Sequence, residues 1–147
     1  LLNPYSLHGR IGRLRYFAWL MVIFVTLTAG FTPVMLFVYW LAGESTISLT
    51  AYAILGTLAF LLLSFFSVCS TAQRLHDIGK PAWLTLIGFL PIINWIFCLL
   101  LCFIPGEEDE NAYGPPSPPD STAVHTVVFC VIALPFVAMM GYIAVVL

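Results

Sequence analysis

The run AWLTLIGFLPIINWIFCLLLCFI, residues 82–104, holds 23 positions without a formal charge. About 20 apolar helical residues cross a hydrocarbon core of about 30 Å, so such a stretch reads first as membrane helix. Lys80 stands shortly before it and Glu107 shortly after, with 26 uncharged residues between them. Working outward, three similar gaps appear: 28 residues between Arg15 and Glu44, 29 between Glu44 and Arg74, and 27 after Asp120. Only 12 of the 147 residues are charged, 8%, while 61% are apolar. A soluble domain, with about a quarter of its residues charged, could not clothe its surface this way. Disordered chains are rich in charge and poor in apolar residues, so that class is excluded too. With a net charge of −2 and no basic tract, nothing supplies the phosphate contacts of a nucleic-acid binder.

Each gap predicts one span: 16–41, 47–72, 82–104 and 123–147. The runs are continuously apolar, not alternating, which argues for helices over barrel strands. The expected fold is an all-α integral membrane protein, four transmembrane helices in an antiparallel bundle with cytoplasmic N- and C-termini. The connections are a tight turn at Gly43 to Thr46, a polar loop at Gln73 to Pro81, and a Pro- and Gly-rich loop at Pro105 to Thr122. All five basic residues fall before the first span (Arg10, Arg13, Arg15) or in the second loop (Arg74, Lys80). Two spans separate these segments, so both face one side, the cytoplasm by the positive-inside rule. The first apolar run exceeds the h-region of a secretory signal, which argues against that reading. Domain organisation follows: residues 1–15 as an interfacial segment, 16–122 as a three-span core, and 123–147 as an additional helix.

A rival path exists for residues 82–104. Pro91 and Asn94 sit near the middle, and a helix broken there could re-enter, putting Glu107 to Glu110 beside the arginines. Full crossing is preferred, because exposed non-helical backbone inside lipid is costly. Pro33, Pro91 and Pro135 each remove a backbone donor and loosen the carbonyl one turn earlier, predicting kinks. In transporters such breaks line substrate cavities. Yet no Asp, Glu, Lys or Arg lies within a span, which weighs against ion coupling. Ser64, Ser67 and Thr71 share one helix face and read as a packing seam, or alternatively a polar pore lining. Cys69, Cys98, Cys102 and Cys130 lack zinc-site spacing and read as apolar filler, so neither metal nor cofactor is expected. His125 is placed near the outer end of the last span.

The cytoplasmic edge carries the polar chemistry. Leu7, Ile11 and Leu14 form an apolar stripe among Arg10, Arg13 and Arg15, predicting a short interfacial helix along the headgroups. Asp77 is the only acid among five bases on that side, and an ion pair with Arg10 or Arg13 would tie the N-terminal segment to the second loop. Catalysis by His76 and Asp77 would need a nucleophile or substrate group within hydrogen-bond reach, and nothing in the sequence places one. The expected binding residues are therefore Arg10, Arg13, Arg15, Arg74, His76, Asp77 and Lys80, facing anionic lipid headgroups, another membrane protein or a second copy.

Three blocks resemble a known family. Gly9-Arg10-Ile11-Gly12-Arg13 with Tyr16-Phe17 opens the chain; Arg74-Leu75-His76-Asp77-Ile78-Gly79-Lys80 runs on to Trp83. Pro105-Gly106 and Asn111-Ala112-Tyr113-Gly114-Pro115 close it. In order and spacing over residues 9–115 they resemble the small bacterial inner-membrane proteins grouped as domain-of-unknown-function family 805. Gln73 stands where that family often has a second arginine, Arg15 where an acid is frequent, and the final span lies beyond the usual family core. The resemblance implies no activity, but it adds weight to Arg10, Arg13, Arg74, His76 and Asp77 as a working cluster. The expected function is a non-enzymatic scaffold or accessory subunit of the inner membrane. A small oligomeric channel or transporter is the alternative, and a lipid-modifying enzyme with His76 as base the third reading.

Overall fold

A computed structural model describes residues 7–42 and 46–146. Helix α1 (Arg13–Val25) continues through a wider π turn, Thr26–Phe31, into α2 (Thr32–Ala42). The π turn lies just ahead of Pro33, whose ring cannot donate to the preceding turn and crowds its carbonyl. The expected disturbance at Pro33 thus takes the form of a widened turn within a continuous helix. Thr26 and Thr28 donate their hydroxyls to the carbonyls of Val22 and Phe24, at 2.7 and 2.9 Å, and Thr32 reaches Leu27 at 3.2 Å. Helix α3 (Thr46–Asp77) returns antiparallel: the Tyr16 hydroxyl lies 3.4 Å from that of Thr71, and the Tyr39 and Tyr52 rings meet at 6.1 Å. Two helical stretches of 28 residues, Arg13–Trp40 and Thr50–Asp77, are long and apolar enough to cross a membrane. At 1.5 Å per residue each exceeds the hydrocarbon thickness by several residues, so the polar turn after Ala72 projects beyond the apolar run.

The third stretch departs from expectation. Ala82–Phe89 forms a 3-10 helix, Leu90 is extended (φ −91°, ψ 108°), and α4 begins at Pro91 and ends at Phe103. A residue before proline is pushed out of the helical region, and proline is well placed as a first helical residue. One half is about 16 Å long and the other about 20 Å, so neither spans alone. They fold back on each other as a hairpin. Both hairpin ends return to the end of α3: Lys80 N–H bonds Leu75 O at 2.8 Å, and Glu107 N–H bonds Asp77 O at 2.8 Å. The single helix expected over 82–104 is thus two shorter ones, and Glu107 to Glu110 lie at the same end as the arginines.

Helix α5 (Thr122–Val146) starts from that same end. Leu14 shares a groove with His125 and Phe129, and Trp19 and Val22 share one with Val124 and Val127. Arg15 pairs with Asp120 at the start of both helices. Val22, farther along α1, shares its groove with Val127, farther along α5, so α5 runs parallel to α1 and its end at Val146 lies away from the arginines. His125, expected near the outer end of the last span, sits instead in the first turn of α5 at the arginine end. Through Pro135 α5 remains one helix. The turn expected at residues 43–45 and positions 1–6 of the N-terminal segment lie outside the described residues.

No interfacial helix forms over residues 7–12. Gly9 takes a left-handed φ of +96°, the helix starts only at Arg13, and Ile11 turns inward, 2% exposed. Ile11, Tyr16, Leu75 and Leu101 make the buried core, with Leu20, Ile78, Leu84, Phe97 and Cys102 packed against it. That core sits at the arginine end. Elsewhere the helices display large apolar side chains such as Trp40, Ile92 and Phe129, the surface a lipid solvent favours.

Candidate functional site: a buried arginine clamp

The last turn of α3 delivers Arg74, His76 and Asp77 together. Helix α3 ends in a C-cap turn whose Gly79 has φ +70°; Gly79 N–H bonds His76 O at 3.1 Å and Lys80 N–H reaches Leu75 O. This six-to-one pattern needs a left-handed residue, which glycine supplies without strain. Asp77 accepts from two guanidiniums: Arg10 Nε donates to Oδ1 at 3.2 Å, and Arg74 Nη1 donates to Oδ2. The ion pair between Arg10 and Asp77 matches the sequence expectation, whereas Arg13 takes no part in it.

Each arginine then fans out to main-chain carbonyls. Arg10 donates through Nη1 to Asp109 O at 2.7 Å and Gly114 O at 3.2 Å, and through Nη2 to Glu107 O. Arg74 donates through Nε to Leu101 O at 2.8 Å, through Nη1 to Ile11 O at 3.4 Å, and through Nη2 to Ile104 O. Those last carbonyls end α4, where no further helical turn exists to use them. Only a planar five-donor group could serve so many acceptors at once. Arg10 is 3% exposed, Arg74 fully buried and Asp77 2% exposed. Burial of two cations and one anion is tolerable because nearly every donor meets an oxygen.

The closing loop locks onto the same turn. Gly106 lies against Asp77 so closely that a Cβ there would overlap the carboxylate. Asn111 Nδ2 donates to His76 O at 2.9 Å and to Glu107 Oε2 at 2.7 Å, while its Oδ1 accepts from Tyr113 N–H at 2.9 Å. Asn111 and Gly114 exchange backbone bonds of 3.2 and 3.0 Å. Tyr113 stacks on the His76 ring, centroids 4.0 Å apart and planes 8° off parallel. His76 lies past the apolar run of α3, and burial lowers its imidazole from the usual range, opposed by a backbone hydrogen bond with Gly9 and assisted by His8. Its Nδ1 is buried with no partner among the described residues.

The other sequence-marked residues separate. Arg15 is buried and pairs with Asp120 at 3.3 Å, also donating to Pro119 O. Arg13 and Lys80 are exposed. Pro105 and Gly106 border a crevice of about 760 Å³ between the start of α1, the end of α4 and the closing loop. Ser64, Ser67 and Thr71 line a second cavity, about 440 Å³, with Thr85 and Asn94 of the hairpin opposite. Cys98 donates its thiol to Asn94 Oδ1 at 3.3 Å. Sequence reasoning missed the carbonyls of Leu101, Ile104 and Asp109 as guanidinium partners, and the pairing of Arg15 with Asp120. The available signal was Pro91, whose break brings the acidic loop back to the bases.

The description "Protein of unknown function (DUF805)" belongs to a family model that matches residues 4–115. The chain is 30% identical over 116 residues to the inner membrane protein YhaH of Escherichia coli (strain K12), covering 78% of this chain and 89% of that relative. YhaH of Escherichia coli O157:H7 matches to the same extent. No solved structure matches the chain. Its apolar helices and its relatives agree on an inner-membrane protein. The clamp, the hairpin and the closing loop as far as Pro115 all fall inside the matched residues, and the chain belongs to the DUF805 family.

Proposed function

We propose that the protein is a non-enzymatic membrane scaffold whose arginine end forms a rigid cytoplasmic platform for phosphate-bearing lipid headgroups. The observation that carries this is the division of labour among the bases. Arg10 and Arg74 spend their donors on Asp77 and internal carbonyls, while Arg13 and Lys80 stay exposed at the same end. The cluster read from sequence as a binding surface thus serves to build the platform, and the exposed pair serves to bind. In this reading α1–α2, α3 and α5 cross the membrane and the hairpin enters and leaves from the cytoplasmic side. The positive-inside rule, which counts Lys and Arg and gives acids little weight, supports that orientation.

Asp77→Asn leaves two buried guanidiniums without their counter-charge and should destabilise the protein by about 3 kcal/mol, seen as a lower unfolding midpoint in mild detergent. The double variant R13Q/K80Q should keep the wild-type midpoint yet lose co-purifying phospholipid. An unchanged midpoint in D77N, or full lipid retention in R13Q/K80Q, overturns the proposal; retention of a protein in place of lipid turns it toward an accessory subunit.

A second reading, passage of a small neutral solute, is favoured by the cavity between the first helix, α3 and the hairpin, where Ser64, Ser67, Thr71, Thr85 and Asn94 are set among apolar side chains, since broken helices at membrane depth often border such sites. Protein-dependent glycerol entry into proteoliposomes supports it, and flux equal to empty vesicles removes it.

A further inference from the structure

The crevice of about 760 Å³ at the platform edge has a composition that a lipid phosphate alone does not explain. Its apolar lining comes from Phe17 of α1 and from Leu99 and Phe103 of α4. Charged side chains line it too: Arg13 of α1, and Glu107 and Glu108 of the closing loop. The remaining carboxylates nearby are already matched: Asp77 by Arg10 and Arg74, and Asp120 by Arg15. Glu107 is partly engaged by Asn111. Among the described residues, the Arg13 and Glu108 side chains make neither an ion pair nor a hydrogen bond. One unmatched cation and one unmatched anion therefore line a crevice that also presents apolar side chains.

We propose that this crevice binds an amine-bearing glycerophospholipid, with its phosphate at Arg13, its ammonium at Glu108, and the start of its acyl chains against Phe17, Leu99 and Phe103. The inference rests on reading this end as the headgroup-level platform and goes further by naming the headgroup. Guanidinium and phosphate pair through charge-assisted hydrogen bonds. A primary ammonium offers three N–H donors to the carboxylate. A quaternary choline head has the same charge but no donor, so the glutamate holds it only by Coulomb attraction. A glycerol head has no cation, and its net negative charge meets Glu107 and Glu108 unfavourably. A volume of this size lies within the range of small-molecule sites and suits a headgroup with the first part of its chains.

Detergent-purified protein, stripped of lipid, is offered phosphatidylethanolamine, phosphatidylcholine or phosphatidylglycerol of identical acyl chains, and bound lipid is counted by native mass spectrometry. The ethanolamine lipid should be retained about tenfold more strongly than either of the others, the worth of one charge-assisted bond. Glu108→Gln should bring it down to the choline level, and Arg13→Gln should weaken all three. Glu110→Gln, an exposed acid outside the crevice, should change nothing. Equal retention of the choline lipid, or a preference that survives E108Q, overturns the amine assignment. Strongest retention of the glycerol lipid also overturns it while leaving the headgroup platform standing. Retention of none overturns both.

Discussion

Gly106 has no side chain where the Asp77 carboxylate needs the room, and that contact shows how tightly the clamp is packed. Replacing Gly106 with Ala puts a methyl group into the carboxylate, which is itself fixed by two guanidiniums. Overpacking of this kind costs about 1–3 kcal/mol, so G106A should unfold at a visibly lower temperature in detergent. A wild-type midpoint would mean that Asp77 is free to move aside. At this scale the sequence was partly legible. Asp77 stands out as a lone acid among bases, and its bond to Arg10 follows from charge and geometry. The uses of the individual arginines do not follow. Arg10, Arg13 and Arg15 lie within six residues of one another, yet one caps a loop, one is exposed and one pairs with Asp120. Which direction each points depends on where the Gly9 bend ends and α1 begins, a matter of a single residue.

Elements follow from lengths. A gap of 26 uncharged residues is the same whether the chain crosses or doubles back, because composition measures how much chain is apolar and not the path it takes. Pro91 was legible as a break. Its outcome was not, since that depended on whether the carbonyls ending α4 could find donors at the arginine end, and Arg74 supplies them from a different helix. The two long helices needed no such partner and were read correctly as apolar elements of spanning length. The hairpin makes a topological prediction. With the four native cysteines replaced, a lone cysteine at position 110 should react with the same one-sided reagent as a lone cysteine at position 80. Labelling from opposite sides would refute the hairpin and restore a full crossing. A cysteine at position 146, the last described residue of α5, should react from the side opposite to both.

Order in the whole molecule is concentrated at one end. The core of Ile11, Tyr16, Leu75 and Leu101 adjoins the clamp, and apolar side chains from there outward face lipid. The parallel course of α1 and α5 follows from the hairpin: a segment that returns to its starting side reverses the sense of everything after it. Composition carries no count of such reversals, so the direction of the last helix is legible only once the hairpin is known.

Arg10 finds its partner at Asp109 only after 99 further residues have been synthesised. Until then the nascent chain holds a cation without its final acceptors, and a half-length hairpin has no station of its own in the bilayer. The clamp is therefore last in the order of synthesis: the Arg10 acceptors at Glu107, Asp109 and Gly114 emerge after both long helices. Truncation before that loop would remove the Glu107 and Asn111 bonds that hold the far end of the hairpin to α3.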